Sequence, residues 1–276
     1  MLPLAALTLR SLLEPWAFMW VLAFSIYAGL KWMTWFEARE RVPHTAPRSV
    51  AYLLAWPGMD AEEFLRMGAR VTPPATREWI AAAFKTLLGA ALLWVVARRA
   101  EAMPLAAGWI GMMGLILLLH FGSFHLISLG WRQMGVDAEP IMNAPLRASS
   151  LSEFWGQRWN LGFRQLAHKY VFRPLHRRIG TAGASFLVFV ASGLIHDLVI
   201  SVPARGGYGL PTLYFVLQAL GVAAERSPFG RALGLGRGLR GWLLMAVVTA
   251  APVFWLFHPP FVLQVMLPFM KAVKAL

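Results

Sequence analysis

His196 and Asp197 stand side by side in the otherwise apolar run 184–202. Ionisable groups at membrane depth cost about 2.5–3.5 kcal/mol each on insertion scales, so a chain that keeps two of them together has a use for them. A neutral imidazole accepts a proton near neutral pH, which suits a general base acting on a hydroxyl. Ser185, Ser192 and His196 are spaced to share one face of a helix, with Gly193 and Asp197 on a neighbouring stripe. A polar stripe of this kind faces a bundle interior or a cavity. Counting from residue 184, His196 lies about 18 Å along a helix, near the middle of a bilayer. Successive helical residues diverge by about 100°, so contact between the two side chains is not required, and an arginine from another helix is the alternative partner for Asp197. The competing reading of His196 is a packing histidine bonded across helices. The adjacent aspartate favours function.

The second chemistry-bearing segment is FWGQRWNLGFRQLAHKY, residues 154–170. Ser150 and Glu153 have capping-box spacing, so a helix is expected from Leu151. Trp155, Trp159, Phe163, Leu166 and Tyr170 recur at helical spacing, with Gln157, Asn160, Arg164 and His168 opposite. This predicts an amphipathic helix near 151–172 on the membrane interface, for which a plain anchoring role is the competing reading. Pro174 should end or bend it near Phe172 or Arg173. Arg173, His176, Arg177 and Arg178 then form a basic cluster. His120 and His125 lie five apart, a poor spacing for two ligands on one face, so interior polar contacts or a substrate passage are expected rather than a metal. His258, before Pro259 and Pro260, is expected at the interface.

These residues need a membrane bundle to hold them. The chain has 276 residues, 58% hydrophobic and only 14% charged, against about 25% charged in soluble domains. Six segments have the length and character of spanning helices: 16–35, 79–97, 105–130, 184–202, 210–224 and 239–257. Residues 49–56 and 260–270 are too short to span upright. The expected fold is all-α, a polytopic bundle of about six to eight membrane helices in a single domain, 1–276. Gly111, Gly114, Gly122 and Gly193 suit close helix approach. The first apolar stretch lacks a basic n-region and reads as a spanning helix rather than a cleavable leader. Basic residues concentrate in loops 36–78, 131–183 and 225–238, which the positive-inside rule places in the cytoplasm. The net charge of +13 then reflects anionic lipid and not nucleic acid. The absence of cysteine excludes disulfides, thiolate metal sites and cysteine nucleophiles. Alanine and arginine richness suggests a bacterial inner membrane.

No GxSxG, HExxH or P-loop pattern occurs. What does occur is APLRASS, SLSEFWGQRWN, FRQLAHKYVFRPL and FLVFVASGLIHDL in that order. Together they resemble the wax-synthase-like branch of the membrane-bound O-acyltransferase superfamily, most strongly over 115–270. The resemblance implies an acyl-CoA-dependent O-acyltransferase with a tunnel where donor and acceptor meet. It implies His196 as the base and Asn160 as the second signature residue. Asp197 stands where glutamate is often expected. Acyl-CoA enters as co-substrate, with no further cofactor and no metal.

On that reading His196 takes the hydroxyl proton of a fatty alcohol or other hydroxyl lipid as its oxygen attacks the thioester carbonyl. Asn160 donates to that carbonyl or orients the pantetheine arm. Arg158, Arg164, Arg173, Arg177 and Arg178 are candidates for the coenzyme A phosphates. Trp155, Trp159, Ser192, Asp197, His120 and His125 complete the candidate substrate contacts. Within the class the acceptor is alternatively a sterol, a diacylglycerol or a polysaccharide. Outside it, a proton-coupled carrier or lipid transporter would use His196 and Asp197 as a relay, and an inactive relative would serve as an assembly partner.

Overall fold

The computed structural model describes residues 2–276, which are predominantly helical, with no β-strand among the described residues. Two compact units are present: residues 2–142 with Met266–Leu276, and Asn143–Val265. Among the described residues five helices are long and apolar enough to cross a membrane, making this an integral membrane protein of the helical-bundle type.

The first unit holds α1 (Pro15–Ala38), α2 (Ala46–Ala55), α3 (Ala61–Leu65), α4 (Thr76–Arg99) and α5 (Pro104–Gln133). The short apolar piece at 49–56 falls in α2, whose ten residues extend only about 15 Å. Thr45 caps it, its hydroxyl accepting from the Arg48 amide. Tyr52, Trp56, Phe64 and Leu65 form a buried cluster beside α1. Buried Lys31 points into that region, donating to the Gly58 carbonyl with its ammonium 3.4 Å from the centre of the Tyr52 ring. Nothing in the sequence spacing marks Lys31, because a lone lysine in an apolar helix reads as a snorkelling side chain.

The second unit holds α6 (Leu151–Glu153, continued by a π turn at Phe154–Arg158), α7 (Leu161–Ala204), α8 (Leu210–Arg226) and α9 (Gly238–Leu256). The amphipathic helix expected over 151–172 is two helices. Trp159 is extended and Asn160 left-handed at φ 43°, ψ 65°, so the chain breaks between α6 and α7. Pro174 does not end α7. A π turn at His168–Phe172 precedes it, and the helix bends instead at Gly180 (φ 73°, ψ 173°). Beyond that bend, residues 181–204 extend about 36 Å, enough to cross a bilayer. Helix α8 coincides with the predicted fifth span, but its 17 residues cover only about 26 Å.

Candidate functional site

The helix breaks create the site. Ser150 caps α6 with its hydroxyl, accepting from Glu153 N at 3.0 Å, while Glu153 reaches back to Ser149 N at 2.7 Å rather than to the cap residue. The capping box is therefore present but shifted by one residue. Glu225 of α8 closes the same helix start, its carboxylate accepting from Leu151 N at 2.6 Å and Ser152 N at 3.4 Å. Negative charge at a helix N-terminus is favourable, so this contact ties α6 to α8. Asn160 then caps α7, its side-chain oxygen accepting from Phe163 N at 3.2 Å. Asparagine tolerates the left-handed conformation that most residues avoid, so one side chain both permits the break and starts the next helix.

A cavity of about 370 Å³ opens at this break. Its lining includes Trp155, Trp159, Phe163, Val188, Phe189, Phe215 and Val222 as apolar walls, with Asn160, Arg164, His168, Thr181, Ser185, Ser192, His196 and Arg226 among them. One continuous helix would hold Trp155 and Trp159 apart from Asn160 and Arg164. The break at 159–160 turns both faces onto a single space. Trp155 is fixed by an edge-on contact with Phe189 (5.8 Å between centroids) and by its indole N–H donating to Gln218 at 3.4 Å.

His196 lies on α7 with its ring 4.6 Å from that of Phe215 on α8. Its Nδ1 is 2.7 Å from the Ser192 carbonyl oxygen. A carbonyl only accepts, so Nδ1 carries the hydrogen and Nε2 is the basic nitrogen of the neutral ring. Ser185, Ser192 and His196 share the cavity-facing stripe expected from their spacing. Close approach of α7 and α8 depends on Gly193, where a β-carbon would sit 2.7 Å from the Thr212 Cα.

Asp197 has other work. Its carboxylate accepts from Ser201 Oγ at 2.9 Å, Gly209 N at 2.8 Å and Thr212 N at 3.0 Å, and from the Thr212 hydroxyl. It caps α8 from a neighbouring helix, its hydrogen bonds going to that helix start and to Ser201 rather than to an arginine or His196. The expected arginine partner is thus replaced by the amides of a helix start, which supply fixed donors without a second buried charge.

The remaining candidates are placed as follows. Arg158 is paired with Glu153 at 2.5 Å, and Arg173, Arg177 and Arg178 are exposed before the Gly180 bend, outside the cavity lining. His120 and His125 belong to the first unit. His120 packs edge-on against Phe124, 5.4 Å between centroids. His258 is fully buried rather than interfacial. Burial pushes its imidazole below the ordinary range, partly offset by the Asp197 carboxylate. Among the described residues no three acidic or histidine side chains converge as a metal site. Arg226 was legible in the sequence only as a loop charge; here it lines the cavity and donates to Ser152 Oγ at 2.9 Å.

The Ser149 amide, then its hydroxyl and Arg158, hold the Glu153 carboxyl below the usual carboxylate range. A depressed carboxyl contributes stability at pH above its unfolded value and loses it as pH falls through the lower folded value. Glu153→Gln is expected to cost about 1 kcal/mol near neutral pH. The difference between wild type and variant should vanish on acidification. Thermal unfolding in detergent across that range checks both.

Residues 138–217, which carry both Asn160 and His196, match the membrane bound O-acyl transferase family. The chain is 31% identical over 142 residues to "Probable long-chain-alcohol O-fatty-acyltransferase 7" of Arabidopsis thaliana, covering 46% of this chain and 41% of that protein. It is 30% identical over 142 residues to "Long-chain-alcohol O-fatty-acyltransferase" of Simmondsia chinensis, covering 47% and 40%. It is 29% identical over 141 residues to "Acyl-CoA–sterol O-acyltransferase 1" of Arabidopsis thaliana, covering 46% and 39%. The match spans about two fifths of the length of these relatives.

Proposed function

We propose that this chain, whose site-bearing residues 138–217 match the membrane bound O-acyl transferase family, is an acyl-CoA-dependent O-acyltransferase that esterifies a long-chain alcohol in the membrane. The observation that carries this reading is that Asn160 and His196 line one largely apolar cavity.

The reaction follows from the groups present. The apolar walls accept alkyl chains, and the neutral Nε2 of His196 takes the proton of the acceptor hydroxyl as its oxygen attacks the thioester carbonyl. The negative charge that develops on the carbonyl oxygen is met by an amide N–H of Asn160. Collapse expels the thiolate, which takes the alcohol's proton from His196, so ester and free thiol leave and the enzyme returns unchanged. Arg164 and Arg226 supply positive charge for the donor's phosphates. Arg173, Arg177 and Arg178 serve, on this reading, as an outer basic approach. His196 and Asp197 have separate hydrogen-bond partners, so a direct relay between them, as a proton-coupled carrier would need, gains no support. The compositional expectation of a bacterial inner membrane stands beside relatives that are plant proteins.

The test supplies membranes containing the protein with labelled acyl-CoA and, separately, hexadecanol, a sterol or a diacylglycerol. Wax ester is the expected labelled product. Label in the sterol ester or triacylglycerol alone would reassign the acceptor, and thioester consumption with no ester in any arm would remove the reaction class.

A further inference from the structure

A chain of buried polar groups runs from Asp197 away from the cavity. Ser201 Oγ donates to Asp197 Oδ1 at 2.9 Å and lies 3.1 Å from His258 Nε2. The other ring nitrogen, Nδ1, accepts from Phe261 N at 3.2 Å. With Nδ1 accepting, the hydrogen of the neutral ring is on Nε2, which donates to Ser201. The direction of donation follows: His258 to Ser201, and Ser201 onward to Asp197 Oδ1 at 2.9 Å, with the Gly207 carbonyl oxygen a longer second acceptor at 3.3 Å. Ser201 and His258 are both wholly inaccessible. The three residue types are those of a hydrolase triad, but the serine sits in the middle and donates its hydrogen bond to the carboxylate rather than to the imidazole, so it is no nucleophile. Gly207 closes the arrangement with φ 69°, its α-carbon against the His258 ring where any β-carbon would collide. The sequence pairs that ring with two prolines, which start a short helix capped by the same imidazole.

Such a network has a buried cost unless every member is satisfied, and here each is. What it fixes is the carboxylate of Asp197, and through it the register of α7 against α8. Asp197 begins a π turn at Asp197–Ser201 directly after His196, and its other oxygen holds Thr212, one turn before Phe215, on which the His196 ring rests. We infer that His258 is a positioning residue for His196, acting through Ser201 and Asp197 to hold the imidazole at its place in the cavity. This rests on the O-acyltransferase reading for its catalytic consequence. The geometric half does not.

The experiment uses the full chain in membranes or detergent, with His258→Ala, His258→Gln, Ser201→Ala and the Ser201→Ala/His258→Ala double variant. The glutamine amide can donate in place of Nε2. Per folded protein, His258→Ala should lose about 10–100-fold in kcat, as a displacement near 1 Å does. KM for acyl-CoA should stay within about twofold, since the cavity walls are untouched. His258→Gln should recover most of the loss, and the double variant should be no worse than the worse single, because both act through one chain. A purely structural residue would lower the thermal midpoint and leave kcat per folded molecule unchanged, and that result, or glutamine failing where alanine fails equally, overturns the inference. Should His258→Ala not fold, Ser201→Ala and His258→Gln carry the same comparison. A second readout is independent of turnover: the rate at which diethyl pyrocarbonate modifies His196, mapped by mass spectrometry. It should change at least threefold in His258→Ala and return in His258→Gln; an unchanged rate overturns the positioning role. If wild type makes no ester but this rate responds, the reaction class fails and the positioning stands.

Discussion

His196→Ala is expected to lower ester formation by about 10²–10⁴-fold, the range a positioned general base contributes. The Ser192 carbonyl bond at 2.7 Å places the ring hydrogen on Nδ1, so the variant loses the basic Nε2 that follows Ser185 and Ser192 on the cavity-facing stripe. Its folding should suffer little. The ring's hydrogen bond is to a carbonyl within its own helix, and its main packing contact is Phe215. A large fall in turnover with a small change in thermal midpoint is therefore the expected pattern, measured with labelled acyl-CoA and long-chain alcohol on equal amounts of folded protein. His196→Gln should be equally inactive, since an amide has hydrogen-bonding capacity but no useful basicity. Undiminished ester formation by a folded alanine variant would remove His196 from the chemistry and leave it as a packing residue.

The stripe of Ser185, Ser192 and His196 was legible because α7 is regular over those residues, and helical spacing predicts a shared face wherever no break intervenes. The same rule failed thirty residues earlier. Periodicity treats 151–172 as one cylinder, whereas the structure breaks it at Trp159–Asn160. Asparagine was a signal for that break, as a residue tolerant of left-handed backbone and favoured at helix starts, but it competes with an aromatic pattern that continues undisturbed across it. The partners of Asp197 were not legible at all. Gly209 and Thr212 lie across a turn, and no local pattern announces which helix start a buried carboxylate will cap. His258 looked interfacial because it ends an apolar run before two prolines; its burial follows from the fit of its ring against Gly207, a property of the fold and not of the run. Arg226 and Arg164 were equivalent as charges in the sequence to Arg173, Arg177 and Arg178. Only the cavity separates them.

Asn160 allows two explanations to be parted by substitution. Its left-handed backbone and its cap on Phe163 N are structural, while the proposed chemistry uses the amide N–H. Asn160→Asp keeps an oxygen acceptor for the cap, tolerates the same backbone conformation, and places negative charge at a helix N-terminus, which is favourable. It removes the N–H donors. Stability should therefore be retained while turnover falls by about 10²–10³-fold, the cost of losing one donor to a developing oxyanion. Asn160→Ala removes donor and cap together. It should lose about 1 kcal/mol for the cap and a further ~1–2 kcal/mol because alanine lacks the short polar side chain whose local hydrogen bonds let asparagine tolerate left-handed backbone. Parallel measurement of thermal midpoint and kcat on both variants decides between the roles. If Asn160→Asp turns over at the wild-type rate while Asn160→Ala is both unstable and slow, the residue is a hinge cap and the thioester oxygen is met elsewhere. If both are slow and only alanine is unstable, the amide hydrogen is part of the reaction, and the break at 159–160 is what aims it into the cavity that His196 lines.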